Sequence, residues 1–272
     1  MAPLHRWRKG PDIAPLLTLD RARIDVWSTH LDDVRQPVLL QRYWPLLAEA
    51  EQVQARRFHF PADRHRYLVT RVLLRTVLSR YAPVAPAQWR FSCNAYGKPA
   101  VANGGLQAAR IAFNLSHSGH LVVLCVSCDQ ALGIDTECLD GRTPCLDTAQ
   151  HYFCAEEALA LAACPAQHRT ERFYRYWTLK EAYVKARGMG MSIPLNQFSF
   201  GFGAGGHIAM HVQPALGDMA ARWRFWQWRQ AAALVAVCAP AGTPQPQQLT
   251  HKRIIPMLQE QVSEDICATT SF

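Results

Sequence analysis

Polar and apolar residues alternate along Ala22-Arg-Ile-Asp-Val-Trp-Ser28, the period of a half-buried strand, after which the spacing becomes helical. Residues 45–59 suit a helix. Pro61 opens a second, whose apolar face is Tyr67, Leu68, Val72, Leu73, Leu74, Val77 and Leu78, and Pro83 and Pro86 close it. Short strands follow near 89–93, 111–115, 121–128 and 131–137, between Gly- and Asn-bearing turns. The second half repeats this order. Helical signals cover 145–163, break at Pro165, resume over 168–187 and stop at Arg187-Gly188, and strands follow near 197–203, 207–213, 222–229 and 232–238. The fold class implied is α+β, two similar α/β halves meeting near residues 110–120, each with a small, mostly antiparallel sheet packed against helices. The expected division is an N-terminal half over 1–113, a C-terminal half over 114–240, and a linker and tail over 241–272. Residues 239–250 are rich in Pro, Gly, Gln and Thr and read as linker, and the last twenty or so as one short helix.

Composition narrows the function classes. A chain of 272 residues, 49% hydrophobic and 18% charged, buries a sizeable core. It holds no apolar run of the roughly 18 residues a membrane span needs. The basic residues 1–9 lack a following apolar stretch, so a secretory signal is not expected and the location expected is cytoplasmic. Nine scattered cysteines, an odd number, do not read as a disulfide framework. Cys125 and Cys128 have CxxC spacing but sit in the apolar run Leu121-Val-Val-Leu-Cys-Val-Ser-Cys128. On a strand, residues three apart diverge, which favours packing over metal binding. The net charge of +8 calls for an anionic partner: nucleic acid, membrane surface, phosphorylated ligand or acidic protein. Arg56, Arg57, Arg64, Arg66, Arg71, Arg75 and Arg80 concentrate that charge in one segment.

Three constellations carry chemistry. In Gly133-Ile-Asp-Thr-Glu137, a strand would put Asp135 and Glu137 on one face, about 6.6 Å apart along the backbone. Two such carboxylates repel unless a proton or cation separates them, and Mg²⁺ suits hard oxygen ligands; the alternative is an exposed strand with an acidic outer face. In Trp177-Thr-Leu-Lys180-Glu181-Ala-Tyr-Val-Lys185, residues 177, 180, 181, 184 and 185 share one helical stripe. Glu181 and Lys185 there form either part of a site or a surface ion pair. Tyr96-Gly97-Lys98-Pro99 is a turn that exposes a lysine. Asn114-Leu-Ser116-His117-Ser-Gly119 follows a strand and offers groups that hold phosphate, although His117 equally fits a turn histidine. No G-x-S-x-G surrounds Ser116, so nucleophilic catalysis by it is not expected.

Arg56-Arg57-Phe58, Tyr96-Gly97-Lys98-Pro99, Phe113-Asn114-Leu115-Ser116-His117-Ser118, Gly133 to Glu137 and Trp177 through Lys185, in this order and over residues 20–240, resemble the phosphopantetheinyl transferases of the larger, pseudo-dimeric, surfactin-synthetase-activating class. The resemblance implies two halves about a pseudo-two-fold axis with coenzyme A between them. It implies that Asp135, Glu137 and Glu181 converge on one Mg²⁺ at the diphosphate, with Glu181, Lys180 and Asp135 catalytic. Coenzyme A would be held by Arg56, Arg57, Arg66, Arg71, Tyr96, Gly97, Lys98, Pro99, Asn114, Ser116, His117, Lys180 and Lys185, with His117 toward the 3′-phosphate. A carrier serine would attack the β-phosphorus, 3′,5′-adenosine bisphosphate would leave, and Glu181 or a metal-bound water would take the serine proton. The implied partner is an acidic acyl or peptidyl carrier protein, with no nucleic acid, no membrane and a monomeric enzyme. Glu51 and Gln54 depart from relatives that carry basic residues there, and Glu157 matches a family glutamate near the site. A diphosphate hydrolase using water at the same metal site is the competing enzyme reading. A basic nucleic-acid-binding module is the non-enzymatic one, and it leaves the three acids unexplained.

Overall fold

The computed structural model describes residues 5–6, 16–140, 146–241 and 248–266. Most of the basic stretch 1–9, residues 242–247 of the 239–250 linker and residues 267–272 lie outside these. The predicted first strand is β2 (Arg23–His30), preceded by the two-residue β1 (His5–Arg6). Helices α1 (Pro37–Tyr43), α2 (Glu49–Arg57) and α3 (Pro61–Leu78) follow. Pro61 stands in the first turn of α3, and Leu68, Val72, Leu73, Leu74, Val77 and Leu78 are buried as their spacing requires. A hairpin of β3 (Phe91–Cys93) and β4 (Pro99–Val101), the short α4 (Leu106–Ala109), β5 (Ile111–Ser118) and β6 (Leu121–Cys128) complete this part. The chain then passes into a second sheet with β7 (Gly133–Cys138).

The predicted helix over 145–163 is two helices, α5 (Leu146–Tyr152) and α6 (Ala155–Ala162). Glu157 accepts from the Cys154 N–H and so starts α6 afresh. Helix α7 (Ala166–Arg187) ends as expected at Gly188, in the left-handed conformation at φ +67°. The hairpin β8 (Phe198–Phe202) and β9 (Ile208–Val212) and the pair β10 (Trp223–Gln230) and β11 (Ala233–Pro240) follow.

A six-stranded sheet runs β1-β13-β12-β2-β6-β5 and a three-stranded sheet β10-β11-β7. Strand β6 is buried along its whole length because both its faces are covered. Val122, Leu124 and Val126 pack with Trp27, Leu73 and Val77, while Leu121, Val123 and Cys125 meet Ile134, Trp226, Val235 and Val237 of the other sheet. That second set is the core between the sheets. Cys125 and Cys128 are both buried free thiols, in keeping with packing. A third core surrounds α7, with Phe173, Tyr176, Leu179, Tyr183 and Phe225.

The tail departs from the predicted helix. It forms β12 (Gln248–Ile255) and β13 (Gln259–Ile266), and β12 lies parallel to β2 while the other paired strands are antiparallel. The pattern was hidden because an inward position is a lysine. Lys252 is 2% exposed, 2.9 Å from Asp25 and over the Trp27 ring.

Candidate active site

Strand β7 carries Asp135 and Glu137 on one face, and β5 lies against it through side chains. Asn114 Oδ1 accepts from the Ile134 N–H at 2.9 Å, Ser116 Oγ donates to Asp135 Oδ1 at 2.9 Å, and Ser118 Oγ donates to Glu137 Oε2 at 2.9 Å. The Cys138 N–H closes the row by donating to Ser118 Oγ at 3.0 Å. Residues 114, 116 and 118 recur every second position and therefore share a face of β5. The predicted phosphate-holding loop is thus part of a strand, and Asn114 and Ser116 are buried against β7 rather than displayed on a turn.

Helix α7 is brought onto β7 at Gly133. A Cβ there would lie 2.0 Å from the Ala182 carbonyl oxygen and 2.4 Å from the Ala186 nitrogen, so only hydrogen fits. This crossing sets Glu181 and Lys185, one turn apart, beside Asp135. The Lys185 ammonium donates to Asp135 Oδ1 at 2.6 Å, Ser116 Oγ at 3.0 Å and the Ile134 carbonyl at 3.2 Å.

The three predicted acids act on one another. Burial, and then the charge of Asp135, raises the carboxyl pKa of Glu137 and of Glu181, and Glu181 adds to the rise at Glu137. Their oxygens do not all come within 4.8 Å of one another, a spacing consistent with mutual repulsion and with Lys185 seated on Asp135. Asp135 Oδ2 is buried and has no hydrogen-bond partner. A buried anionic oxygen left bare is costly, and three hard carboxylates around it fit a small divalent cation such as Mg²⁺.

A basic side faces the acids. His117 points away from the β7 contacts and reaches solvent. Crowding on its other side, followed by the charge of Arg66 and then that of Lys185, lowers its pKa. Arg66, on α3, bonds Asp63 at 2.9 Å, yet its Nε is buried without a partner. Arg56 stacks on Trp44 and is exposed, as is Arg57.

Three predicted ligands stand elsewhere. The Lys180 ammonium is fully buried, bonded to the Leu195 and Phe198 carbonyls at 2.7 and 2.6 Å and to Glu157 at 2.8 Å. With its donors occupied it braces α7 against β8, and the helical stripe divides, Lys180 and Val184 facing the core while Glu181 and Lys185 face β7. Glu157 is its partner, buried as well, and also accepts from the Phe200 N–H. Lys98 is not exposed by its turn: its ammonium folds inward onto the Leu132 and Ala186 carbonyls at 3.0 and 3.2 Å, and burial lowers its pKa. Arg71 and Arg75 are both held by Glu51, the residue at which this chain departs from the basic pattern.

Asn94 was not singled out by sequence. Its Oδ1 accepts from the Tyr96 and Lys98 N–H groups, shaping the turn in which Gly97 takes φ +85°, and its Nδ2 donates to the Gly188 carbonyl at 2.7 Å. An Asn two residues before an exposed aromatic and a glycine is the available signal. Tyr96 remains exposed at the turn's tip.

One buried and two half-buried acids, an opposing ammonium and a basic rim thus meet at one place. Residues 131–238 match the 4′-phosphopantetheinyl transferase superfamily, and residues 37–129 match the 4′-phosphopantetheinyl transferase N-terminal domain. The chain is 34% identical to 4′-phosphopantetheinyl transferase HetI of Nostoc sp. over 188 residues, 69% of this chain and 77% of that protein. It is 33% identical to 4′-phosphopantetheinyl transferase Sfp of Bacillus subtilis over 172 residues, 63% of this chain and 74% of that protein. A holo-[acyl-carrier-protein] synthase from Neisseria meningitidis superposes on 40% of this chain and 96% of its own at 20% identity and a TM-score of 0.31, too loose a likeness to bear on the fold. The chain belongs to the 4′-phosphopantetheinyl transferase superfamily. Within it, the two matched segments and these relatives place it in the larger class, as a phosphopantetheinyl transferase enzyme.

Proposed function

We propose that this enzyme transfers the 4′-phosphopantetheine group of coenzyme A to a serine of an apo acyl or peptidyl carrier protein, releasing 3′,5′-adenosine bisphosphate, with Asp135, Glu137 and Glu181 holding Mg²⁺. The observation that carries this reading is the bare, buried Asp135 Oδ2 amid two further carboxyls whose proton affinity it raises. Bound Mg²⁺ would neutralise charge on the diphosphate oxygens.

The protein's own residues do the rest. Glu181, whose affinity for a proton is raised by burial and by Asp135, suits acceptance of the serine hydroxyl proton. Lys185 brings a positive charge to the same place, where it can offset charge on the diphosphate. Arg66, with a buried donor unused, supplies a cation for the 3′-phosphate, and His117 beside it, its pKa lowered by burial and by Arg66, adds a neutral imidazole that can hydrogen-bond the same group. Arg56 and Arg57 extend the positive surface over which an acidic carrier docks, steered by charge. Lys98 and Lys180 serve as internal braces.

We further propose that the two halves are related by a pseudo-two-fold axis. In its favour, a long helix, a hairpin and two strands recur in order, and the strands order β5-β6-β2 in one sheet and β10-β11-β7 in the other. The enzyme would act as a cytoplasmic monomer; no helix among the described residues is long and apolar enough to cross a membrane.

Intact mass of apo carrier proteins after incubation with the enzyme, coenzyme A and Mg²⁺ tests the activity. A mass gain of one phosphopantetheine that needs Mg²⁺ and disappears in Asp135→Asn is the expected result. Adenosine bisphosphate released at full rate without carrier would instead indicate hydrolysis.

A further inference from the structure

A second set of metal-type ligands converges at one corner of the six-stranded sheet, away from the acids. His30 closes β2, Asp32 lies in the following single turn, and His120 lies in the turn between β5 and β6. Nδ1 of His120 is 2.9 Å and Nδ1 of His30 is 3.2 Å from the same oxygen, Asp32 Oδ2, and the three ligand atoms lie within 4.8 Å of one another. The two rings stand 5.8 Å apart with an interplanar angle of 31°. The Arg35 guanidinium holds the other carboxylate oxygen, Oδ1, which leaves Oδ2 to the imidazoles.

The backbone beneath is fixed. The Leu31 N–H donates to the His120 carbonyl at 2.8 Å, and His30 pairs with Leu121 across β2 and β6. Gly119 takes φ +54° in the same turn, with Cys138 packed against it. The donors therefore sit on rigid elements rather than on a free loop.

We propose that His30, Asp32 and His120 form a binding site for a divalent transition-metal ion of the zinc type, separate from the Mg²⁺ site of the transfer reaction. Two imidazoles and one carboxylate are the donor set that zinc-type ions take, whereas Mg²⁺ prefers oxygen alone. A tetrahedral ion with bonds of about 2.0–2.2 Å holds its ligand atoms about 3.4 Å apart. The observed 2.9 and 3.2 Å lie within roughly half an ångström of that edge, so the ion replaces the bridging protons with little rearrangement. Arg35 orients the carboxylate from its far side, as outer partners of metal ligands do. The side chains are 38%, 40% and 55% exposed, which leaves the fourth position to water. Bound there, the ion ties the end of β2 to the β5–β6 turn, one residue beyond Gly119 and two beyond the Ser118 hydroxyl that holds Glu137.

The test titrates the full chain, with Mg²⁺ saturating the acid site, first with Co²⁺ followed by visible absorption and then with Zn²⁺ by calorimetry. The expected result is one equivalent bound in the wild type, with affinity reduced at least about tenfold in His30→Ala, in His120→Ala and in Asp32→Asn. Circular dichroism and carrier modification should be unchanged, since none of the three belongs to the transfer site. Binding of equal strength in wild type and variants would assign the ion to other groups, such as the exposed Cys93, and overturn the proposal. So would absence of Co²⁺ and Zn²⁺ binding at millimolar metal.

Discussion

Replacing Gly133 with alanine tests whether the crossing of β7 and α7 positions the site. The added Cβ would lie 2.0 Å from the Ala182 oxygen and 2.4 Å from the Ala186 nitrogen, both backbone atoms that no rotamer change removes. Contacts of a Cβ do not fall below 3.0 Å, so strand and helix must separate by roughly 1 Å. Overpacking of this kind costs about 1–3 kcal/mol, and rigid backbone on both sides puts Gly133→Ala near the upper end. In a protein of this size that lowers the melting temperature by about 6–9 °C. The same displacement carries Glu181 and Lys185 away from Asp135, and an error of about 1 Å among reacting groups reduces turnover about 100-fold. The measurements are thermal melting and kcat for carrier modification at saturating coenzyme A, beside Gly104→Ala, whose Cβ meets nothing within 4 Å. If Gly133→Ala melts within about 2 °C of wild type and transfers at a similar rate, the close approach does not position the site.

Other consequences can be measured separately. Glu181 holds its proton more tightly folded than unfolded, so the folded state loses stability as pH rises through its raised pKa; without divalent cation, Glu181→Gln should melt higher than wild type at pH 7, and the gap should close toward pH 4. Adding Mg²⁺ should raise the wild-type melting temperature, by about 2.7 kcal/mol in stability at 100 times its Kd, and should do so far less in Asp135→Asn. Lys180→Met leaves Glu157 buried without its cation and should cost about 3–5 kcal/mol by denaturant unfolding, with the KM for coenzyme A in the folded fraction unchanged. Arg66→Ala should raise the KM for coenzyme A by more than that for its analogue lacking the 3′-phosphate; an equal rise for both would remove Arg66 from that role.

What the sequence disclosed and what it hid divide along physical lines. The long helices α3 and α7 and the fully apolar β6 are carried by the pattern of apolar residues; alternation places β2 as well, but the strand is buried on both faces rather than half-buried, with Asp25, Ser28 and Thr29 enclosed beside its apolar residues. Asp135 and Glu137 share a face through the same alternation. The errors concern lysines and short polar residues. Lys98 reads as exposed and Lys180 as facing a ligand because an isolated ammonium in a core is costly, and nothing local reveals the carbonyls and Glu157 that satisfy them; Lys252 and its partner Asp25 are hidden in the same way in a tail that reads as helix. Asn114 and Ser116 resemble loop residues until β7 supplies the Ile134 N–H and the Asp135 carboxylate. The role of Gly133 needs the path of α7, some fifty residues further along, and so escapes any reading of its neighbours.

Strand β12 has a consequence for how the chain acquires its structure. Tyr81 donates to Asp25 at 2.6 Å and Arg23 pairs with it locally at 2.7 Å, but its buried cation, Lys252, stands 227 residues beyond it. While the polypeptide is being synthesised, β2 is therefore an open edge whose acid still lacks its buried partner, apt to pair with stray strands. Its closure must await nearly the whole translation product and then span a long loop, which makes this seam a late, slow step in maturation.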